Sequence, residues 1–206
     1  MALTNCYATV DDLRSELGAT NTDHLARLER AISAASRQID AHTGWTRCGF
    51  WQTAATQRYY EPENTRCLYV PEGLVSVGGI SVDYDGDGVY EVDLAGSDYR
   101  LEPYNASEDW PARPWTEVVI MPLSSAYFPL GLGNTVKLDN SVFGWPAIPD
   151  DVNKACLIQA AQLFKSTDAV FGGVQLGLDG SVLRVRQSMN PMAEALLEGY
   201  SKPRVA

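Results

Sequence analysis

Two apolar stripes at helical spacing lie roughly one hundred residues apart in this chain, and neither can be buried alone. From Asp23 to Thr43, Leu25, Leu28, Ile32, Ala35 and Ile39 recur at steps of three and four, while Arg27, Glu29, Arg30, Ser33 and Arg37 fall elsewhere. From Pro149 to Ser166, Val152, Cys156, Leu157, Ala160, Ala161, Leu163 and Phe164 form a second, broader stripe. Pro149 stands at its start, and Asp150 and Asp151 occupy the first turn, where carboxylates suit the positive end of a helix. The two helices must therefore meet in space although the sequence parts them.

Shorter helices complete the ends. Thr9 to Gly18 opens on a capping-type Thr9 three residues before Asp12 and closes on a glycine, and Asn190 with Pro191 introduces a short helix through Leu197, ended by Gly199. Between Trp45 and Pro149 the helical period disappears, and β-branched or aromatic runs alternate with Gly, Pro, Asn and Asp clusters. Strands are expected at 57–60, 67–70, 79–84, 89–93, 99–102, 116–121 and 135–143. Ile80, Val82 and Tyr84 share a face, as do Thr116, Val118 and Ile120, and Val136, Leu138 and Val142, which suits a sheet with one buried side. The expected class is α+β. A helical-bundle core is drawn from residues 1–44 and 149–206 and carries an inserted antiparallel β-rich subdomain over 45–148, with an extended arm at 167–189 and a C-terminal tail.

Composition closes several routes to function. The net charge of −10 and pI near 4.6 argue against a surface that grips nucleic acid, which needs clustered Lys and Arg. A like-charged wall would still let a duplex slide past. The longest apolar runs, such as Val118 to Pro122, are far shorter than the roughly 20 residues of a membrane span. Met1 to Tyr7 has no basic-then-apolar pattern of a secretory leader, so synthesis in the cytoplasm is expected. Cys6, Cys48, Cys67 and Cys156 are scattered without a Cys-x-x-Cys pair and are expected to be buried thiols, with no metal and no cofactor.

The sharpest local motif is "DYDGDGVYE", where Asp83, Asp85 and Asp87 precede Gly88 with the spacing that opens a helix-loop-helix calcium site. The twelfth position, which such a loop fills with a bidentate Glu, is Leu94, and the flanks alternate as strands do. A hairpin tip built of Asp and Gly accounts for the same residues. Glu102, Glu108, Asp109 and Glu117 lie near Trp110 and Trp115 and could be imagined as a glycosidase pair, but ordinary surface loops carry the same residues. His24 and His42 sit about 27 Å apart on one helix and cannot share a ligand. No nucleophile elbow, phosphate loop or dinucleotide fingerprint is present, and the chain is read as non-enzymatic.

Between Thr167 and Gln187 the chain is Gly-rich yet carries Phe171, Val174, Leu176 and Leu178. About twenty residues of this kind are uncommon inside a compact domain, so the strip is expected to find its cover on another subunit. Arg184 and Arg186 would point one way from a short strand at 182–186, with Leu183 and Val185 pointing the other. They suit a partner contact or a solvated strand edge equally.

Five segments taken together resemble one family. "YATVDDLRSELG" from Tyr7, "LERAISAASRQIDAHTG" from Leu28, "DYRLEPYNA" from Asp98, "FGWPAIPDDVNKACLIQAAQLFK" from Phe143 and "VLRVRQSMNPMAEALLEGY" from Val182 are similar, in order, to tailed-phage head-to-tail connector (adaptor, head completion) proteins. The resemblance implies a virion neck subunit that forms a homo-oligomeric ring, commonly of twelve copies. Such a ring docks on the portal protein and meets a head-closure or tail-completion protein below, and DNA passes through without sequence-specific binding. It implies a portal-docking role for the C-terminal segment with Tyr200, Lys202 and Arg204, and a clasp on neighbouring subunits for the arm. The β insert is absent from the smallest members. The alternative from another class is a calcium-dependent β-rich module that binds a surface or a glycan.

Overall fold

A computed structural model of the chain describes residues 4–18, 24–171 and 188–202, with side chains of the third helix described as far as Ser166. The chain divides into two compact units, one of Met1–Thr46 with Ile148–Ala206 and one of Arg47–Ala147.

The first unit is helical. Helix α1 (Val10–Leu17) starts with a reciprocal cap, Thr9 accepting from the Asp12 amide and Asp12 accepting from the Thr9 amide, and stops at Gly18 with φ +63°. Helix α2 (Leu25–Thr43) ends at Gly44, whose amide donates to the Asp40 carbonyl. Helix α3 (Asp150–Phe171) runs a turn beyond the expected Ser166, and packs against α2. The shared face is built of small and branched residues, Ala31, Ile32, Ala35 and Ile39 on α2 against Val152, Ala155, Cys156 and Ala160 on α3, which lets the two backbones approach closely. Helix α4 (Pro191–Leu197), capped by Asn190, lies on α3 and continues into a 3-10 turn at Glu198–Tyr200, so Gly199 does not end the helical stretch as expected.

The second unit is a seven-stranded antiparallel sheet of β1 (Thr56–Tyr60), β2 (Cys67–Ser76), β3 (Gly79–Val82), β4 (Val92–Asp93), β5 (Tyr99–Glu102), β6 (Trp115–Ile120) and β7 (Val136–Phe143). The order is β4-β3-β7-β2-β6-β5, with β1 on β7. β2 and β3 run along β7 in succession, Leu74 opposite Phe143 and Val82 opposite Val136. The sheet encloses its own hydrophobic core, in which Leu68, Val70, Leu74, Ile80, Val82, Val118, Phe128, Leu138 and Phe143 are all but inaccessible.

These findings correct the expected class. The protein is not a helical-bundle core carrying a β insert, because the antiparallel sheet is the main architectural element, with its own core, and only four helices accompany it among the described residues. Long helical stripes are visible within one stretch of sequence, whereas strands that each bury four side chains or fewer show their weight only once paired. A second correction concerns β7. Val142 was expected on the face of Val136 and Leu138, yet Ser141 and Phe143 are the buried pair. Asn140 adopts φ +45° and shifts the strand by one residue, so the face reverses at that point.

The strand ends at Gly144, φ +104°, where a Cβ would collide with the Trp51 carbonyl oxygen. Gly144→Ala should therefore lower the unfolding free energy by about 3 kcal/mol, measured by urea denaturation. A loss below about 1 kcal/mol would show that the 51–53 segment yields freely.

Candidate functional site

The Asp-rich loop between β3 and β4 is held by its own carboxylates. Asp83 is buried and accepts from the amides of Gly86 at 2.7 Å and Gly88 at 2.8 Å, while Asp87 accepts from the Val89 amide at 2.7 Å. Burial works against the Asp83 charge, but the Gly88 and Gly86 amides outweigh it and hold the carboxyl below the usual range. Gly86 and Gly88 take φ of +78° and +90°, which closes the turn. Ligand oxygens of Asp83, Asp85, Asp87 and Glu91 lie within 4.8 Å of one another. Both Asp83 oxygens are already engaged by the loop, and the other three carboxylates stand at the surface, so the arrangement is that of a self-stabilised hairpin tip with an exposed acidic apex.

The remaining carboxylates do not assemble a hydrolytic pair. Glu102 and Glu117 face each other in register across β5 and β6, but Glu102 pairs with Arg100 at 2.8 Å and Glu117 accepts from the Cys67 thiol at 3.4 Å. The neighbouring cavity, lined by Tyr99, Arg100, Leu101, Tyr104, Trp115 and Met121, includes neither. All four cysteines are free. Cys48 and Cys156 are buried, whereas Cys6 and Cys67 are half-buried, which corrects the expectation of four buried thiols. Burial, with Glu117 as acceptor, pushes the Cys67 thiol up to about 11.

A charged cluster that the sequence reading did not single out lies inside the sheet. Glu72, 2% exposed, receives Arg47 and Arg58 on one oxygen, each at 2.7 Å, and the Tyr60 hydroxyl on the other at 3.2 Å. Glu72 lies on the buried side of β2 with Leu68, Val70 and Leu74, beside the bulge where the β2–β6 pairing jumps from Tyr69↔Glu117 to Leu74↔Trp115. Arg58 also stacks 4.7 Å over Phe143. Burial raises the cost of the Glu72 charge, yet the Arg47 bond, its own backbone amide and the charges of Arg58 and Arg47 hold its carboxyl below the ordinary value. The available signal was a lone Glu within the otherwise apolar run 67–77.

The structure places the expected contact residues unevenly. Phe171 closes α3, and Val174, Leu176, Leu178, Arg184, Arg186 and Arg204 lie outside the described residues, as does the strand expected at 182–186. Tyr200 is buried in the helical unit. Its hydroxyl donates to Asp151 at 3.0 Å, its carbonyl accepts from the Trp45 indole at 2.9 Å, and the Lys202 ammonium lies 4.9 Å over the Trp45 ring. These contacts, with the Lys202 amide donating to the Thr43 carbonyl, fasten residues 200–202 to α3 and to the end of α2. Charge is also unevenly shared. The β unit holds six Lys and Arg against fourteen Asp and Glu, or −8 of the chain's −10, and the helical unit holds ten against twelve, the remaining −2.

With this geometry in hand, the chain was compared with known proteins. No protein-family model matches it, and no curated protein matches it. Solved structures do. A chain in the neck of an empty gene transfer agent particle, computed with C6 symmetry, aligns with TM-score 0.57 and 20% identity over 100% of this chain and 95% of its own length. A chain in the virion of the native gene transfer agent particle aligns with TM-score 0.54 and 19% identity over 100% and 95%. This chain shares their fold. The match covers the residues of both units.

Glu72→Ala should cost about 3 kcal/mol by leaving two arginines without their buried partner, whereas Arg47→Ala, at an exposed guanidinium, should cost under about 1 kcal/mol. The folded-state value of Glu72 is depressed, so its contribution is present above the ordinary value of 4.5 and is lost as pH falls through the lower folded value. Stability of the native chain measured below pH 4.5 should fall more steeply than that of Glu72→Gln; parallel curves would remove Glu72 from the acid response. Separately, Asp83→Ala should lower the melting temperature equally with and without millimolar calcium, and a calcium-dependent difference would restore the cation-loop reading.

Proposed function

We propose that this chain is a non-enzymatic structural subunit of a phage-like neck, a ring-forming head-to-tail adaptor that docks on the portal protein and joins it to a head-closure or tail-completion protein. It is made in the host cytoplasm and resides in the virion. The single observation that carries this reading is the end-to-end likeness to a chain in a neck of C6 symmetry. A partial match would be compatible with a borrowed domain. A match over 100% of one chain and 95% of the other supports one shared architecture.

The physical properties agree with such a role. Twelve copies, the number proposed for the ring, would place about −120 formal charges around it. Carboxylates facing the passage would repel phosphates and leave a duplex free to move, whereas a basic lining would hold it. The contacts between subunits are assigned to Phe171, Val174, Leu176, Leu178, Arg184 and Arg186, since an apolar strip of this composition gains most by burial against a neighbour. Portal docking is assigned to the C-terminal segment with Tyr200, Lys202 and Arg204. The anchoring of Tyr200 against Asp151 and Trp45 would fix the point from which that segment leaves the helical unit.

Class-averaged electron images of the purified protein, alone and mixed with the portal protein of its particle, test the reading. Rings with rotational symmetry are expected in at least one of the two samples, and substitution of Leu176 and Leu178 by Asp should abolish them without lowering the melting temperature. Single unassociated particles in both samples would overturn the assignment.

A further inference from the structure

We infer that copies of this chain join head to tail through an arginine-edged groove in the helical unit of one copy and the acidic apex of the β3–β4 hairpin of the next. The contact presupposes that copies form a ring. A ring requires a heterologous interface, in which two different patches of the same chain meet and the rotation closes. The chain must therefore carry two complementary surfaces, and the described residues show a pair that fits.

The groove, about 310 Å³, is lined by Arg27, Arg30, Ala31, Ala34, Leu163 and Phe164. The Arg27 guanidinium lies 4.9 Å over the Phe164 ring, and Arg30 stands exposed at the edge. Its floor is apolar because Ala31 and Ala34 present no side chain beyond a methyl. An occupant of this site should combine a short apolar side chain with flanking carboxylates. The hairpin apex offers that combination. Val89 is 57% exposed, and Asp85, Asp87 and Glu91 surround it at the surface.

Charge complementarity decides for this partner over others in the same chain. At the apex itself the groups to be met are carboxylates, so a surface edged by guanidinium groups fits it better than another acidic apex does. Contact between the apex and the groove places three crowded carboxylates beside guanidinium groups, in a partly desolvated setting where such pairs select the register of docking. Arg47, Arg58 and Arg100 of the β unit are already paired with carboxylates, whereas Arg30 of the helical unit stands exposed at the groove.

Charge exchange tests the contact. Sedimentation velocity and native mass spectrometry on the purified full chain, at fixed ionic strength and over a range of concentrations, compare the native protein with Arg30→Glu, with Asp85→Arg plus Asp87→Arg, and with all three together. Each reversal alone should weaken association about tenfold or more, and the triple variant should recover to within about threefold of the native chain. An equimolar mixture of the two reversed chains should also assemble, since alternate contacts are then complementary. Arg30 is exposed, so Arg30→Glu should leave the melting temperature unchanged, whereas the apex variant gives up the loop bonds to the Asp87 and Val89 amides and is read by its association alone.

Association unchanged by Arg30→Glu, or not recovered in the triple variant, overturns the contact while leaving the ring intact. A lowered melting temperature of Arg30→Glu with native association would mean that the groove is covered by its own chain, and this also overturns it. A native chain that never associates, alone or with the portal protein, counts against the ring itself.

Discussion

Strand β7 is the element on which the β unit depends, because three other strands take their backbone partners from it. It pairs β3 along Val136–Asp139, β1 along Val136–Leu138 and at Ser141, and β2 at Val142 and Phe143. A regular strand would keep one set of side chains inward along its whole length. The left-handed turn at Asn140 breaks that regularity, so Val136 and Leu138 fill one part of the core while Ser141 and Phe143 fill the next. The Ser141 hydroxyl then meets the Gly78 amide, exposed by the break between β2 and β3, and satisfies a donor that the ladder leaves over. One positive-φ residue thus lets a single strand serve both ends of the sheet.

The buried Glu72 sits at a second irregularity, in β2. Pro71 cannot donate to a ladder, and Gly73 takes φ +77° with its carbonyl accepting from Gly144. Between them the chain bulges, and Glu72 keeps to the inward face that Leu68, Val70 and Leu74 share. Two arginines and a tyrosine hydroxyl converge there from Arg47, Arg58 and Tyr60, tying the entry to the unit, strand β1 and strand β2 to one point. Such a cluster adds little net stability over an apolar packing of equal volume. What it adds is a definite register, since a slipped strand would leave the carboxylate unpaired in the core.

Local chemistry was legible in the sequence, and non-local balance was not. The Thr9–Asp12 cap and the stops at Gly18 and Gly44 depend on residues a few positions apart, and they stand where the spacing puts them. β5 spans Tyr99–Glu102 as expected, and β1, β6 and β7 fall within a residue of their expected positions. β2 runs to Ser76 rather than Val70 because Pro71 and Gly73 read as breakers in isolation, whereas paired against β6 they form a bulge inside a longer strand. β4 is shorter than expected because the Asp83 carboxylate folds the loop onto itself and removes 89–91 from pairing. The misjudged weight of sheet against helix has the same origin: seven short strands make a core only through partners that lie far along the chain.

The uneven charge makes interfaces a local question. At physiological ionic strength the Debye length is about 8 Å, so carboxylates on opposite sides of a ring scarcely interact, and a large total charge does not by itself oppose assembly. Only groups within that distance of a contact decide its sign. The helical unit, near neutrality with its arginines along α2, can approach an acidic surface that another β unit cannot. The same screening applies to DNA in a passage, which would feel the carboxylates lining its path and not the sum over the ring. A chain that concentrates its acidity in one of two units can therefore repel a duplex at one surface and accept a neighbour at another.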